Sequence, residues 1–352
     1  MKITKVSYER LDLTLAVPYT IAYETIDATT NFILKIETDG NLVGYGCSVP
    51  DKEVTNEIPR DVINALDSII IPYLKNKDTF TFALLLSELR TLLGKKSSCL
   101  AMVDLALFDL ISKKAEVPLY KFLGGYRSSI PTSITIGIMD LVDTLALAKE
   151  FVTQGFNILK IKGGSDLDED IAKMIRLHEI YPHVKFRFDG NQGYSVQESI
   201  AFVKATSAIG IEIFEQPTKH ESEEHLGQVT GQVDVPVMAD ESIKTLTDAF
   251  RLAQNERVDM VNIKLQKVGG ILSATHISSV AKAAKMETMV GCIDECGLGI
   301  SAGLHFALSI PNIMYADLDG HLDLMEDPFT NLFRLEKGIL YPTDTYGLGY
   351  RE

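Results

Sequence analysis

Basic residues are in deficit: 34 lysines and arginines face 48 aspartates and glutamates, a formal charge of −14 with histidine neutral. That excludes the dense cationic surface on which binding to a phosphate backbone depends, and the densest basic stretches, Lys95-Lys96 and Lys113-Lys114, are isolated pairs. A nucleic-acid partner and an anionic membrane surface are both disfavoured. Long apolar runs are missing too, since none approaches the roughly 20 residues that cross a bilayer. The stretch Met1–Arg10 alternates polar and apolar residues like a strand and lacks the apolar core of a signal peptide, so the expected location is cytoplasmic. Cysteine is scarce, four in 352 residues, which is too sparse for a disulfide scaffold. Cys292 and Cys296 have no second pair nearby with which to build a zinc site.

What is present divides the chain in two. Residues 1–15 alternate like a strand, Pro18–Asp27 is a polar loop, and Asn31–Thr38 and Leu42–Cys47 are strands joined by Asp39-Gly40, a hairpin signal. Helical spacing follows over 57–74 and 80–93, and Ser98–Phe122 is a helix apolar on nearly all sides, which implies burial between layers. Strands followed by helices indicate an α+β unit. From Pro131 onward the pattern changes to short β-branched runs, each followed by a helical stretch: SITIGI (133–138), NILKIKG (157–163), KFRFD (185–189), IEIFEQ (211–216), VPVMAD (235–240), MVNIK (260–264), TMVGC (288–292) and IMYAD (313–317). Five of the runs place a charged residue near their ends, Lys162, Asp189, Glu215, Asp240 and Lys264, separated by 27, 26, 25 and 24 positions. A repeat of that length over eight strands specifies a (β/α) barrel. A doubly wound sheet would want a glycine-rich phosphate turn after its first strand, and no G-x-G-x-x-G follows Ile136-Gly137.

In a barrel, residues at the C-terminal ends of strands face the active site. Asp189, Glu215 and Asp240 end three consecutive strands and would repel one another without a cation. Each alone reads as a helix N-cap; three in register read as ligands for a hard divalent ion, Mg²⁺ or Mn²⁺, because histidine and thiolate are absent from the set. Lys160 and Lys162 point the same way at period two, and Lys264 stands four strands on, at the opposite wall. An ammonium near another ammonium and a divalent cation has its charged form disfavoured, which makes a lysine available as a general base. Two such lysines flanking a substrate α-carbon can remove a proton from one face and return it to the other, which is racemisation or epimerisation.

The set ILKIKGG, FRFDGNQGY, FEQP, MADES and VNIKLQKVGG, preceded by VDLALFDLISKKAEVPLYKFLGG, resembles the muconate-lactonizing subgroup of the enolase superfamily, in which lysine or histidine bases work beside Mg²⁺. The resemblance implies an α/β fold: a modified (β/α)7β TIM-like barrel with an N-terminal α+β capping domain completed by the C-terminal tail. The expected divisions are 1–125 for the cap, 126–320 for the barrel and 321–352 for the segment returning to the cap. It also implies Lys162 and Lys264 as acid/base catalysts, Lys160 as a substrate-carboxylate residue, and Asp189, Glu215 and Asp240 as ligands of one Mg²⁺ per site. Histidine–aspartate branches of the superfamily do not fit, because no histidine falls between Asp259 and Val268 or between Glu287 and Leu304. His276 and His305 read as packing residues of helices.

The eighth strand narrows the substrate. Asp317 and Asp319 share a face at period two, and an Asp-x-Asp here resembles dipeptide epimerases, where the pair receives the N-terminal ammonium. Thr135 and Cys292 align with positions lining the family's substrate site. Glu24 stands where Ala-Glu epimerases carry an arginine, so an acidic side chain would be repelled; with Asp294, Tyr19, Tyr23 and Ile26 this favours hydrophobic, aromatic or cationic dipeptides. The expected activity is inversion of the C-terminal residue's α-carbon in L,L-dipeptides by two-base 1,1-proton transfer through a metal-stabilised enediolate. The alternatives are a muconate cycloisomerase or o-succinylbenzoate synthase-like lyase, a Schiff-base aldolase and a metal-dependent peptide-binding protein. Members of the family often form homo-oligomers, and no surface stripe in the sequence decides that here.

Overall fold

The computed structural model describes residues 1–21 and 25–351. Strands β1 (Ile3–Thr20), β2 (Thr25–Thr38) and β3 (Val43–Ser48) form an antiparallel sheet in that order. The stretch expected as a loop over 18–27 is strand at both ends, with Tyr19 paired to Ile26 and Thr20 to Thr25. Threonine, tyrosine and isoleucine are strand formers whatever their polarity. The helix over Ser97–Lys114 lies against β3, and Gly46 permits the approach: a Cβ there would stand 2.0 Å from the Met102 carbonyl oxygen. That helix is buried from Ser98 to Ser112. It ends earlier than expected, because Glu116 turns left-handed (φ 58°) and Pro118 follows; a separate short helix spans Leu119–Phe122.

After β4 (Ile130–Pro131) come eight parallel strands: β5 (Ile134–Ile136), β6 (Ile158–Lys162), β7 (Lys185–Asp189), β8 (Ile213–Glu215), β9 (Val237–Ala239), β10 (Met260–Lys264), β11 (Glu287–Gly291) and β12 (Ile313–Asp317). They pair in sequence order. A parallel bridge from Thr132 to Ala316 and a 3.2 Å hydrogen bond from the Ser133 N–H to the Ala316 carbonyl close the sheet into a barrel. Helices connect each strand to the next, which gives the (β/α)7β order. A last hairpin, β13 (Phe333–Glu336) and β14 (Ile339–Pro342), pairs with β4. The tail also reaches the N-terminal unit: the Ala16 N–H donates to the Asp323 carbonyl, and the Leu348 N–H donates to Asp109 Oδ1. Among the described residues no helix is long and apolar enough to cross a membrane.

Side chains alternate along a strand, so the barrel interior is layered. A lower layer of Ile213, Met238, Met260 and Met289, with Tyr315 against it, lies two residues below Glu215, Asp240, Asn262, Gly291 and Asp317. Over β8 to β11 the polar layer thus rests on an apolar floor, while Lys160 and Arg187 carry charge at the same level on β6 and β7. Arg187 belongs to the lower level and is buried; its Nε donates to Glu212 (2.8 Å), and its Nη1 donates to Ser133 Oγ (3.1 Å) and the Ala316 carbonyl (2.8 Å). It thereby ties β7 to the seam where the barrel closes. Removing one partner from a buried charged network typically costs about 3–5 kcal/mol, so Arg187→Met should lower unfolding stability by that order in urea titrations. A loss under about 1 kcal/mol, the worth of an exposed pair, would mean the seam does not depend on it.

Of the two histidines expected to pack, His305 is buried, accepts the Tyr120 N–H at Nδ1 (3.0 Å) and is held down at about 3 by burial. His276 is exposed on the helix Ile271–Ala283, on the face turned from the barrel.

Candidate active site

The register sets the site. Lys162 pairs with Asp189 and Asp189 with Glu215, so three charged side chains stand at one level on β6, β7 and β8. Asp240 follows the last residue of β9, and Lys264 ends β10 level with Gly291 of β11, itself level with Asp317 of β12. All the expected charged residues of the polar layer therefore meet at one mouth. Two loops at this mouth cross with no room for side chains: Gly164 is left-handed (φ 101°), and a Cβ on Gly193 would lie 2.1 Å from the Gly164 carbonyl oxygen. That is the steric content of the KGG and GNQG motifs.

Lys160 is almost wholly enclosed, with Nζ 2.7 Å from Glu215, 2.9 Å from Asp317 and 3.1 Å from Asp189. Lys162 lies 2.8 Å from Asp189 Oδ2, and Lys264 lies 2.7 Å from Asp240 Oδ2. Burial opposes charge on Lys160 and Lys264, yet both are pushed well above the ordinary lysine range, because Asp317, Glu215 and Asp189 outweigh it at Lys160 and Asp240 does so at Lys264. The sequence led us to expect the reverse. Counting ammonium neighbours neglects that each lysine is paired to carboxylates until a cation competes for them. Burial likewise opposes ionisation of Asp240, but Lys264 and Lys267 hold it well below the carboxylate range. Glu215 is pushed up to about 7 by burial and by Asp189, and Glu241 to about 8 by burial and then by Asp240 and Asp189.

A second acidic group lies across the mouth. Asp317 is engaged at both oxygens, Oδ1 by the Ser133 hydroxyl (2.7 Å) and Oδ2 by Lys160. Asp319 accepts the Thr135 N–H at Oδ2 (2.6 Å), and among the described residues its Oδ1 has only the Cys292 thiol, at 3.9 Å. Burial and then the Asp317 charge raise Asp319 to about 6. Asp294 is touched through both oxygens by the Tyr19 hydroxyl, 3.1 Å each, and is pushed up to about 7 by burial, against that hydrogen bond, with Asp51 and Asp319 adding to the rise. Beside it a cleft is lined by Asp27, Asp51, Lys52 and Thr29. Glu24 and Tyr23 lie outside the described residues.

The chain also resembles known proteins over essentially its whole length. Residues 3–124 match the mandelate racemase / muconate lactonizing enzyme N-terminal domain, and 143–351 match the enolase C-terminal domain-like family. The chain belongs to the enolase superfamily. This superfamily member is 41% identical to the L-Lys-D/L-Arg epimerase of Desulforapulum autotrophicum over 100% of this chain and 99% of the relative. Its fold is similar to a substrate-liganded L-Ala-D/L-Glu epimerase from Bacillus subtilis (33% identity, 99% and 98% of the two chains, TM-score 0.97). It is similar as well to a dipeptide epimerase from Methylococcus capsulatus complexed with Mg and L-Arg-D-Lys (35% identity, 99% of each chain, TM-score 0.94).

In this superfamily member the donor set suits a magnesium ion. Asp189, Glu215 and Asp240 are buried carboxylates with no histidine or thiol among them, and Glu241 Oε2 beside them is buried without a hydrogen-bond partner among the described residues. Among the described residues no three acidic, histidine or cysteine side chains stand close enough to cage an ion as placed, since lysine ammoniums occupy the space between them. Ammonium and metal are alternative partners for the same oxygens.

Several residues that hold this layer escaped the sequence reading. Gln216 sits at a strained φ of 29° and accepts the N–H groups of Asp240 (2.9 Å) and Ser242 (3.2 Å) with one amide oxygen. Asn262 donates to Glu215 Oε1 at 2.7 Å, and Lys267 contacts Asp240. The glutamine after FE, the asparagine of VNIK and the second lysine of KLQK were visible in the motifs. Nothing in spacing alone separates them from packing residues.

Proposed function

We propose that the chain is a Mg²⁺-dependent dipeptide epimerase that inverts the α-carbon of the C-terminal residue and prefers cationic dipeptides. The observation that carries the activity is the placement of Lys162 and Lys264 four strands apart on the barrel wall, both on carboxylates of one buried acidic layer. Asp189, Glu215 and Asp240 hold the ion, which when bound supplies positive charge that stabilises the negative charge developing on the substrate carboxylate. Lys160 orients that carboxylate from below. Lys162 and Lys264, released from their carboxylates, face opposite sides of the α-carbon; one takes its proton and the other delivers one from the far side. Asp319, with Asp317 behind it, receives the ammonium. In this reading residues 1–125 form the cap, 126–320 the catalytic barrel, and 321–352 the segment that ties them.

Side-chain preference follows from Asp294 and Asp51. Two carboxylates lining one cleft beside the ammonium site favour a cationic N-terminal side chain and oppose an acidic one. The similarity to the L-Lys-D/L-Arg epimerase of Desulforapulum autotrophicum supports this. The test is to incubate pooled L,L-dipeptides with protein and Mg²⁺ in D₂O. A one-dalton gain is expected, with kcat/KM for Lys- or Arg-containing dipeptides at least about tenfold above L-Ala-L-Glu, a charge-complementarity effect of about 1.4 kcal/mol. No deuterium uptake by any dipeptide would overturn the activity. Borohydride trapping of a keto compound would instead favour a lysine Schiff base.

A further inference from the structure

We propose that Lys267 is a positioning residue of the metal centre, holding Asp240 by one carboxylate oxygen so that the other is kept for the cation. The inference rests on the reading of Asp240 as a metal ligand. Lys267 lies in the short helix Leu265–Val268 that follows β10 and is buried at 2% exposure. Its ammonium donates to the Asp240 carbonyl (2.5 Å), the Asn262 carbonyl (3.1 Å) and Asp240 Oδ1. Three protons meet three fixed acceptors, two of them backbone, so the group cannot leave without stranding buried polar atoms. Lys160, Lys162 and Lys264 differ: among the described residues their ammonium groups contact carboxylates and no backbone carbonyl. The two oxygens of Asp240 therefore have unequal partners: Oδ1 is tied to an immobile cation, while Oδ2 is held by Lys264, the residue placed to serve the α-carbon. A divalent ion competes with Lys264 for Oδ2 and leaves Lys267 in place. Metal loading and release of the acid/base lysine are then one event.

Simple electrostatics makes the opposite forecast. If Lys267 were only a charge, deleting it would tighten metal binding, as deleting any cation near a divalent ion does. Positioning requires opposite signs from the two lysines. We expect Lys267→Met to weaken Mn²⁺ binding, followed by electron paramagnetic resonance, by about 10–100-fold, the usual effect of removing a residue that orients a ligand. Lys264→Met should tighten it by about threefold, because a competing cation is gone. Lys267→Met binding Mn²⁺ as tightly as the parent or more tightly overturns the inference. Asp240→Asn binding as the parent does would instead overturn the ligand assignment beneath it. Should Lys267→Met not fold, Mg²⁺ titration of the parent protein carrying [¹³Cε]lysine decides: the Lys264 signal should shift while the Lys267 signal stays, and equal shifts of both would refute the proposal.

Discussion

Lys162→Ala and Lys264→Ala are each expected to abolish epimerisation while leaving α-proton exchange with one epimer, a different epimer in each variant. The lysines stand on β6 and β10, and in an eight-stranded barrel four strands is half the circumference. Each therefore addresses one face of a carbon held between them. With one lysine gone, the epimer whose proton faces the survivor still loses it and regains deuterium from the same side, with configuration retained. The other epimer presents its proton to an alanine methyl and stays inert. Losing a positioned acid/base group typically costs about 10²–10⁴-fold in rate, and inversion needs both groups in each turnover. Inversion rates should therefore fall by at least about 10²-fold in both directions for both variants. Following deuterium uptake by mass and configuration by chiral chromatography checks this in one experiment. Either variant inverting both epimers at the parent rate would dismantle the two-base assignment. Both variants exchanging the same epimer would put the two lysines on one face.

The barrel was legible because its repeat is a physical requirement: each strand, loop and helix consumes a similar length, so Lys162, Asp189, Glu215, Asp240 and Lys264 recur at a nearly constant interval. Strand period two then predicts that Lys160 joins Lys162, and Asp319 follows Asp317, on one face. Partner choice was not legible. Lys160 takes carboxylates from β7, β8 and β12, and Lys267 takes backbone carbonyls, neither of which has a spacing signature. The strand ends at Thr20 and Thr25 were hidden by polarity, since none of the paired residues Tyr19, Thr20, Thr25 and Ile26 is fully buried and no buried face imposes alternation there. The acidic excess of the chain also acquires an internal meaning. Among the described residues seven carboxylates, Asp189, Glu215, Asp240, Glu241, Asp294, Asp317 and Asp319, are gathered at one barrel mouth with the lysines Lys160, Lys162, Lys264 and Lys267. That imbalance favours a metal ion and a cationic substrate.

Asp319→Asn should raise the KM for dipeptides by about 10²-fold, matching the loss of a charged hydrogen bond of about 1.5–3 kcal/mol. Both oxygens of Asp317 are engaged, by Ser133 and Lys160, whereas among the described residues Asp319 Oδ1 has only a thiol at 3.9 Å, so in the proposed reading Asp319 is the acceptor left for an incoming ammonium. N-acetylated dipeptides, which lack the ammonium, should be handled alike by parent and variant. The pH dependence has a definite sign. Asp319 is raised to about 6, first by burial and then by the neighbouring Asp317 charge, so as pH falls through that value the free enzyme protonates it and loses the charge that recognises the ammonium. The ratio of parent to variant kcat/KM, in which the titrations of other groups cancel, should therefore shrink from about 10² at neutral pH to about ten near pH 5 and toward one near pH 4. A ratio constant across that range would remove Asp319 from ammonium recognition. Asp317→Asn acts through a different physical channel, because it strips a partner from the buried Lys160 ammonium. Its main effect should be lower resistance to unfolding, and the two aspartates of one motif are thereby separable by KM against stability.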